Sequence, residues 1–177
     1  MRNLLLICFS VIALSGCSSA PPLNFTVQSI QPANHKIDAE LKSVSVSLAT
    51  DAEKKGNIEA GMEILPQLWK ASLDDALARN TAFKDDASKK VNIVVKVLAM
   101  NLPSIGTTMT STSIAQYQII DRENGKALYT KEISADGVVP FSYSLMGSIR
   151  SRESINRAVQ NNIAAFLTEL DNVNIEK

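Results

Sequence analysis

This chain is poor in the residues from which most catalytic centres are built. It has 2 cysteines, 1 histidine and 7 glycines in 177 residues. Cys8 lies in an apolar leader, so once the leader is removed Cys17 stands alone and no internal disulfide can form. A single histidine and no second thiol exclude a Cys/His zinc site. Gly125 and Gly137 are isolated, so no glycine-rich loop exists to cradle a phosphate. A charge of one sign is missing too. The 18 Lys and Arg face 18 Asp and Glu, which leaves no electrostatic case for nucleic acid. No apolar run approaches the roughly 20 residues needed to cross a bilayer. No cofactor is expected. Stability must come from a packed core, and about 160 residues beyond the leader suffice for one domain.

What is present begins at residue one. Arg2 supplies a positive charge, Leu4 to Leu14 is apolar but for Ser10, and Leu14-Ser15-Gly16-Cys17 follows. A charged start, a short apolar core and small residues before a cut describe a secretory signal. The ending Leu-Ser-Gly-Cys resembles the lipobox of bacterial lipoproteins. That resemblance implies cleavage between Gly16 and Cys17, lipidation of Cys17, and a Cys17 that heads the mature chain. Three acyl chains, as the resemblance implies, hold firmly, whereas a single myristoyl chain binds with K of only about 10⁴ M⁻¹. Ser18 resembles the outer-membrane pattern of such lipoproteins, so an outer-membrane anchor facing the periplasm is expected.

Three parts follow: a signal peptide over 1–16, a lipidated cysteine and tether over 17–36, and one domain over 37–177. Pro21, Pro22 and Pro32 mark the tether. Within it, Phe25 to Ile30 reads equally as a short strand or as extended linker. In the domain, Val44, Val46 and Leu48 alternate with serines, which predicts a strand. Leu65, Leu68, Trp69, Ser72, Leu73, Ala76 and Leu77 recur at helical spacing, which predicts a helix over 64–80 with Pro66 in its first turn. Val91 to Val97 alternates as a second strand, and Ile114 to Ile120 as a third. Asn124-Gly125 then signals a hairpin into a fourth strand over 127–137. Ile155, Val159, Ile163, Phe166 and Leu170 predict a long terminal helix.

The order β-α-β-β-β-α predicts an α+β two-layer sandwich, a mostly antiparallel sheet of about four strands with both helices on one face. This order resembles small Gram-negative lipoproteins, among them the YajG-like family and auxiliary lipoproteins of envelope transport systems. Stretches such as Leu65-Pro66-Gln67-Leu68-Trp69-Lys70 and Arg152-Glu153-Ser154-Ile155-Asn156-Arg157 resemble short proteobacterial lipoproteins, some labelled UDP-N-acetylglucosamine acyltransferase. Acyltransferases of that name resemble hexapeptide-repeat β-helices with a histidine base. This chain has no such repeat, and its one histidine, His35, lies in the tether.

Two function classes follow. One is a non-catalytic envelope lipoprotein that binds or scaffolds a protein or lipid partner at the membrane. The other, implied by the label, is an enzyme acting on envelope glycolipid. Asp74-Asp75 and Asp85-Asp86 read as solvated surface, since adjacent helical residues point about 100° apart and face no common cleft. Arg150, Arg152 and Arg157 at the start of the last helix are candidates for phosphate or lipid head groups. The competing reading has Ser148 or Ser151 cap the helix, with the arginines in water or paired to Glu153. Val138 to Met146 is unusually apolar for a connection. It is expected to fold under the last helix and close one end of the core. The alternative makes Phe141, Tyr143 and Met146, beside the arginines, the contact surface for a partner.

Overall fold

A computed structural model describes residues 21–59, 61–104 and 106–175; the leader, the lipobox and Cys17 lie outside the described residues. Six elements form the core: β1 (Glu40–Leu48), α1 (Leu65–Asn80), β2 (Lys90–Asn101), β3 (Met109–Asp121), β4 (Ala127–Val139) and α2 (Gly147–Leu170). The sheet order is β1-β2-β3-β4. β1 lies parallel to β2 through the α1 crossover, and β2, β3 and β4 form an antiparallel meander. The α+β order read from the sequence is the order found.

Each element follows from local chemistry. α1 has Pro66 in its first turn, where a missing N–H leaves nothing unpaired. It stops at Thr81, which takes the left-handed conformation with φ 55° and returns its N–H to the Leu77 carbonyl. The β3–β4 turn uses Gly125 at φ +72°, with its N–H on the Asp121 carbonyl at 2.9 Å. On β2, Val91, Ile93, Val95 and Val97 point into the core, and Met100 does so again. Odd-to-even switching of this kind needs an extra residue. A bulge between Val97 and Ala99 supplies it, putting Ala99 opposite Ile114 on the other face.

Both helices cover one face. α2 runs back antiparallel along β4 and comes unusually near it. A Cβ added to Gly137 would lie 2.0 Å from the Ser154 carbonyl oxygen and 2.3 Å from the Ala158 nitrogen. Helix backbone and strand backbone therefore touch, which only glycine permits. Small side chains line the same approach. Ser111 and Ser154 share a hydrogen bond of 2.8 Å, and the Ser113 hydroxyl donates to the Ala158 carbonyl at 2.9 Å. Further along, Asn162 accepts from the Tyr117 hydroxyl at 2.9 Å and donates to the Ile133 carbonyl at 3.0 Å. Tyr117 in turn accepts from the Trp69 indole at 3.3 Å and stacks on Phe166 at 4.0 Å between centroids. One hydroxyl thus ties α1, β3 and α2 together in a dry interior, where an unpartnered polar group would cost more than the bond gains.

The segment expected to be a tether is docked onto the domain. It forms no strand, yet Phe25 and Val27 are buried in the core. Its backbone groups are taken by helix side chains. The Asn24 N–H donates to Asn156 at 3.0 Å, and Gln160 donates to the Asn24 carbonyl at 2.9 Å. Arg79 donates to the Val27 carbonyl at 2.6 Å, and Asn80 to the Gln31 carbonyl at 2.8 Å. Asn34 then meets Asp171 through both its N–H and its amide. The segment lies along the seam between the helices, travelling from the early turns of α2 to its end. The physical reason is that two helices on a flat sheet leave an apolar furrow, and Phe25 fills it.

Two outcomes are expected. Phe25→Ala should lower stability by about 3 kcal/mol, as a buried aromatic truncation does; thermal unfolding measures it, and an unchanged midpoint would mean a loose segment. Gly137→Ala should cost about 3 kcal/mol by forcing α2 off the strand. Ser134→Ala, exposed on the same strand, is the control that should leave the midpoint in place.

Candidate functional site

The connection from β4 to α2 carries most of the large apolar side chains that the described residues leave in water. Val138, Phe141, Tyr143, Leu145 and Met146 are exposed, Leu145 to 82 %; the sixth such residue, Ile64, precedes α1. The expectation that this stretch folds under the last helix is therefore corrected. The reason is spatial. Contact between the backbones of β4 and α2 at Gly137 leaves no layer beneath the helix for a loop to enter. Only Val139, the last residue of the strand, reaches the core side.

The turn is ordered by its arginines. Phe141 to Tyr143 makes one 3-10 turn, and Met146, not Ser148 or Ser151, occupies the cap position of α2 without a side-chain cap bond. Ser148 and Ser151 are already inside the helix, which starts earlier than the serine pattern implies. Arg150 is only 5 % exposed. Its guanidinium donates to the Ser144 carbonyl at 2.6 Å and to the Gly106 carbonyl at 3.2 Å. The same group sits 4.9 Å over the Phe141 ring. Arg150 therefore clamps two loops with its two terminal nitrogens, while its Nε is buried without a hydrogen-bond partner. Arg157 behaves alike: it pairs with Glu153 at 2.8 Å, donates to the Val138 carbonyl at 2.9 Å and lies 5.2 Å over the Tyr143 ring. Arg152 is half-buried and has no partner among the described residues.

The remaining candidates disperse. His35 is exposed on the rim of a shallow depression of about 810 Å³, lined with Asp38, Asp171 and Ile175. Asp74 pairs with Lys70 at 2.6 Å and Asp75 with Arg79 at 2.5 Å, along the surface of α1. Among the described residues no group of three or more His, Cys, Asp or Glu is placed to hold a metal. No helix among them is long and apolar enough to cross a membrane. The Glu53 carboxyl is drawn down to about 2 by the Lys96 ammonium and by the hydroxyl and N–H of Thr50. These bonds fold the loop after β1 back over the open face of the sheet, where Lys55 also reaches Glu132 at 2.6 Å. Burial pushes the Tyr117 hydroxyl far above its ordinary range, which suits a fixed hydrogen-bond relay and no proton-transfer role.

Reading the sequence missed the Arg150 clamp and the Gly137 contact. Arginine followed by small residues within a helix gives no sign of being buried. Gly137 opposite Ser111 was detectable only as an isolated glycine in a strand, which signals close approach of another backbone.

No family model matches the chain, and no curated protein matches it. Solved structures do. Protein XCC0632 of Xanthomonas campestris, described under the family DUF330, superposes with a TM-score of 0.56 at 11% identity, over 84% of this chain and 91% of that one. The PelC dodecamer of Paraburkholderia phytofirmans gives a TM-score of 0.44 at 13% identity, over 79% and 93%. Lipoprotein GNA1162 of Neisseria meningitidis gives 0.44 at 12% identity, over 80% and 100%. The likeness to XCC0632 is one of fold.

The clamp makes a testable claim. Arg150→Ala should cost about 3 kcal/mol, since hydrogen bonds from a charged group contribute about 1.5–3 kcal/mol each before coupling. Limited proteolysis should then cut within 138–146 while the parent resists. Equal resistance in both would show that the turn holds without its guanidinium.

Proposed function

We propose that this chain is a lipid-anchored lipoprotein of a bacterial envelope, and that its domain is a non-catalytic binding or scaffolding module at the membrane surface. The anchor is assigned to Cys17 on the strength of Leu14-Ser15-Gly16-Cys17 after a short apolar run. Ser18 supports an outer-membrane address with the domain facing the periplasm. The partner is an envelope protein or lipid.

One observation carries the binding role. Five large apolar side chains crowd into the nine residues 138–146 at the end of β4 and the turn after it, with arginines stacked on two of them. Rigid aromatic anchors with arginine beside them are the mixture enriched where proteins make contacts. An apolar cluster of this kind on an otherwise polar domain marks a contact surface.

The experiment is fractionation of cells carrying Cys17→Ser. The variant is expected to leave the membrane fraction for the soluble one, with its fold intact. A variant as membrane-bound as the parent would overturn the anchor. Turnover of an envelope glycolipid by the purified protein, lost on one carboxylate substitution, would overturn the non-catalytic role.

A further inference from the structure

We infer that the apolar turn is the surface on which the domain rests against the lipid bilayer that its own anchor enters. This rests on the anchor proposed above and goes further, because it fixes which end of the domain faces the lipid.

Three independent placements converge on one end. First, β1, β2 and β4 all finish there, since β1 and β2 are parallel and β4 is antiparallel to β3, itself antiparallel to β2. The turn 140–146 follows β4, and α1 starts at that end because its other end meets the beginning of β1, where the Ile37 N–H bonds the Ala82 carbonyl at 2.7 Å. The six large exposed apolar residues among the described residues, Ile64 included, therefore lie at the end where β4 stops.

Second, the opposite end is charged. The β3–β4 turn carries Asp121, Arg122, Glu123 and Lys126, and the loop before β2 carries Lys84, Asp85, Asp86 and Lys89. β4, with 13 residues, separates the two ends by about 40 Å. The loop after β1 starts at the apolar end and folds Glu53 and Lys55 back over the sheet onto Lys96 and Glu132, then returns to the end of β2 at Asn57, so that exposed Glu59 and Glu63 come just before Ile64.

Third, the chain leads to the anchor at the apolar end. Asn24 is fixed beside Asn156 and Gln160, and the segment after it runs toward the end of α2. Asn156 lies between Ser154 and Ala158, the residues that meet Gly137, so Asn24 stands near the end where β4 stops. Asn156 stands about 14 Å along the axis from Gly147. The seven steps from Cys17 to Asn24 reach at most about 24 Å. Cys17 can lie level with the apolar turn, and it cannot pass the far end of a domain about 40 Å long. A lipid on Cys17 holds that turn at the interface. Leu145 and Met146 then enter the boundary between head groups and acyl chains, and Arg152, with donors unspent, lies where anionic head groups are.

The test uses the full lipidated chain, extracted from membranes and reconstituted into vesicles of phosphatidylethanolamine and phosphatidylglycerol. Acylated Cys17 leaves no other thiol, so Leu145→Cys and, at the far end, Glu123→Cys each accept one fluorescent label. Nitroxide-bearing phospholipid is expected to quench the label at 145 at least about threefold more than the label at 123, as for a group buried about 5–10 Å into the interface. Equal quenching with the chain floating alongside the vesicles would overturn the bilayer contact and leave the anchor standing. A label at 145 that is shielded in native membranes but wet in protein-free vesicles would assign the turn to a protein and also overturn it. A chain that does not float with vesicles would remove the anchor, and the bilayer contact with it.

Discussion

The backbone contact between β4 and α2 at Gly137 governs the rest of the molecule. With a Cβ excluded at 2.0 Å from the Ser154 carbonyl, the helix is pinned to the sheet at this point. From there the residues that face the sheet pass from small to large along α2: Ser154 and Ala158, then Asn162, then Phe166. Their partners grow too, from Gly137 and Ser111 through Ser113 to Tyr117. A graded series on both sides makes a wedge, narrow where α2 begins and wide where it ends. The wide end admits two stacked rings and the Trp69 indole; the narrow end admits nothing. That is why the connection 140–146 had to go outward, and why a run of apolar side chains became surface.

Much of this could be read from the chain. Period-two alternation gave four strands in the right order, and the Asn-Gly pair marked the one tight hairpin, because a side-chain period is imposed directly by the half-buried sheet. Both helices were legible from their stripes. The bulge at Leu98 was not, since Val97 to Met100 is a continuous apolar run and carries no mark of which residue is extra. The docking of 23–34 was hidden for a different reason. Proline content describes the freedom of an isolated segment, whereas burial of Phe25 depends on a furrow made by two helices distant in sequence. Only Phe25 and Val27, two apolar residues in alternation, hinted at it.

The candidate site was legible in part, and the part that failed is instructive. Sequence placed Phe141, Tyr143, Met146 and the three arginines in one region, and the fold does bring them together. It misjudged what the arginines do. A guanidinium beside a helix start suggests an anion, but Arg150 instead satisfies carbonyls of two loops that would otherwise be half-buried without donors. The planar fork suits this role because it serves two acceptors while its face lies on a ring. A lysine offers no such face, and so the same net charge would not order the turn.

This arrangement changes how the exposed apolar residues are to be understood. A floppy apolar loop in water collapses on itself or onto the nearest surface, and its exposure then signifies little. Here the rings of Phe141 and Tyr143 are held from behind by cations that are themselves tied to backbone, so collapse is blocked at both positions. The exposure is therefore built into the fold rather than tolerated by it. A second constraint acts in the same direction. The segment 24–34 is fastened along α2 from Asn156 to Asp171, so it cannot swing away from the helices. A docked segment is fixed in a way that a free tether is not, because each bond it makes to the helices removes conformational freedom. The narrow end of the wedge and the clamped aromatic turn are thus one geometric consequence of letting two backbones meet at a single glycine, and the docked segment 24–34 adds its own bonds to that frame.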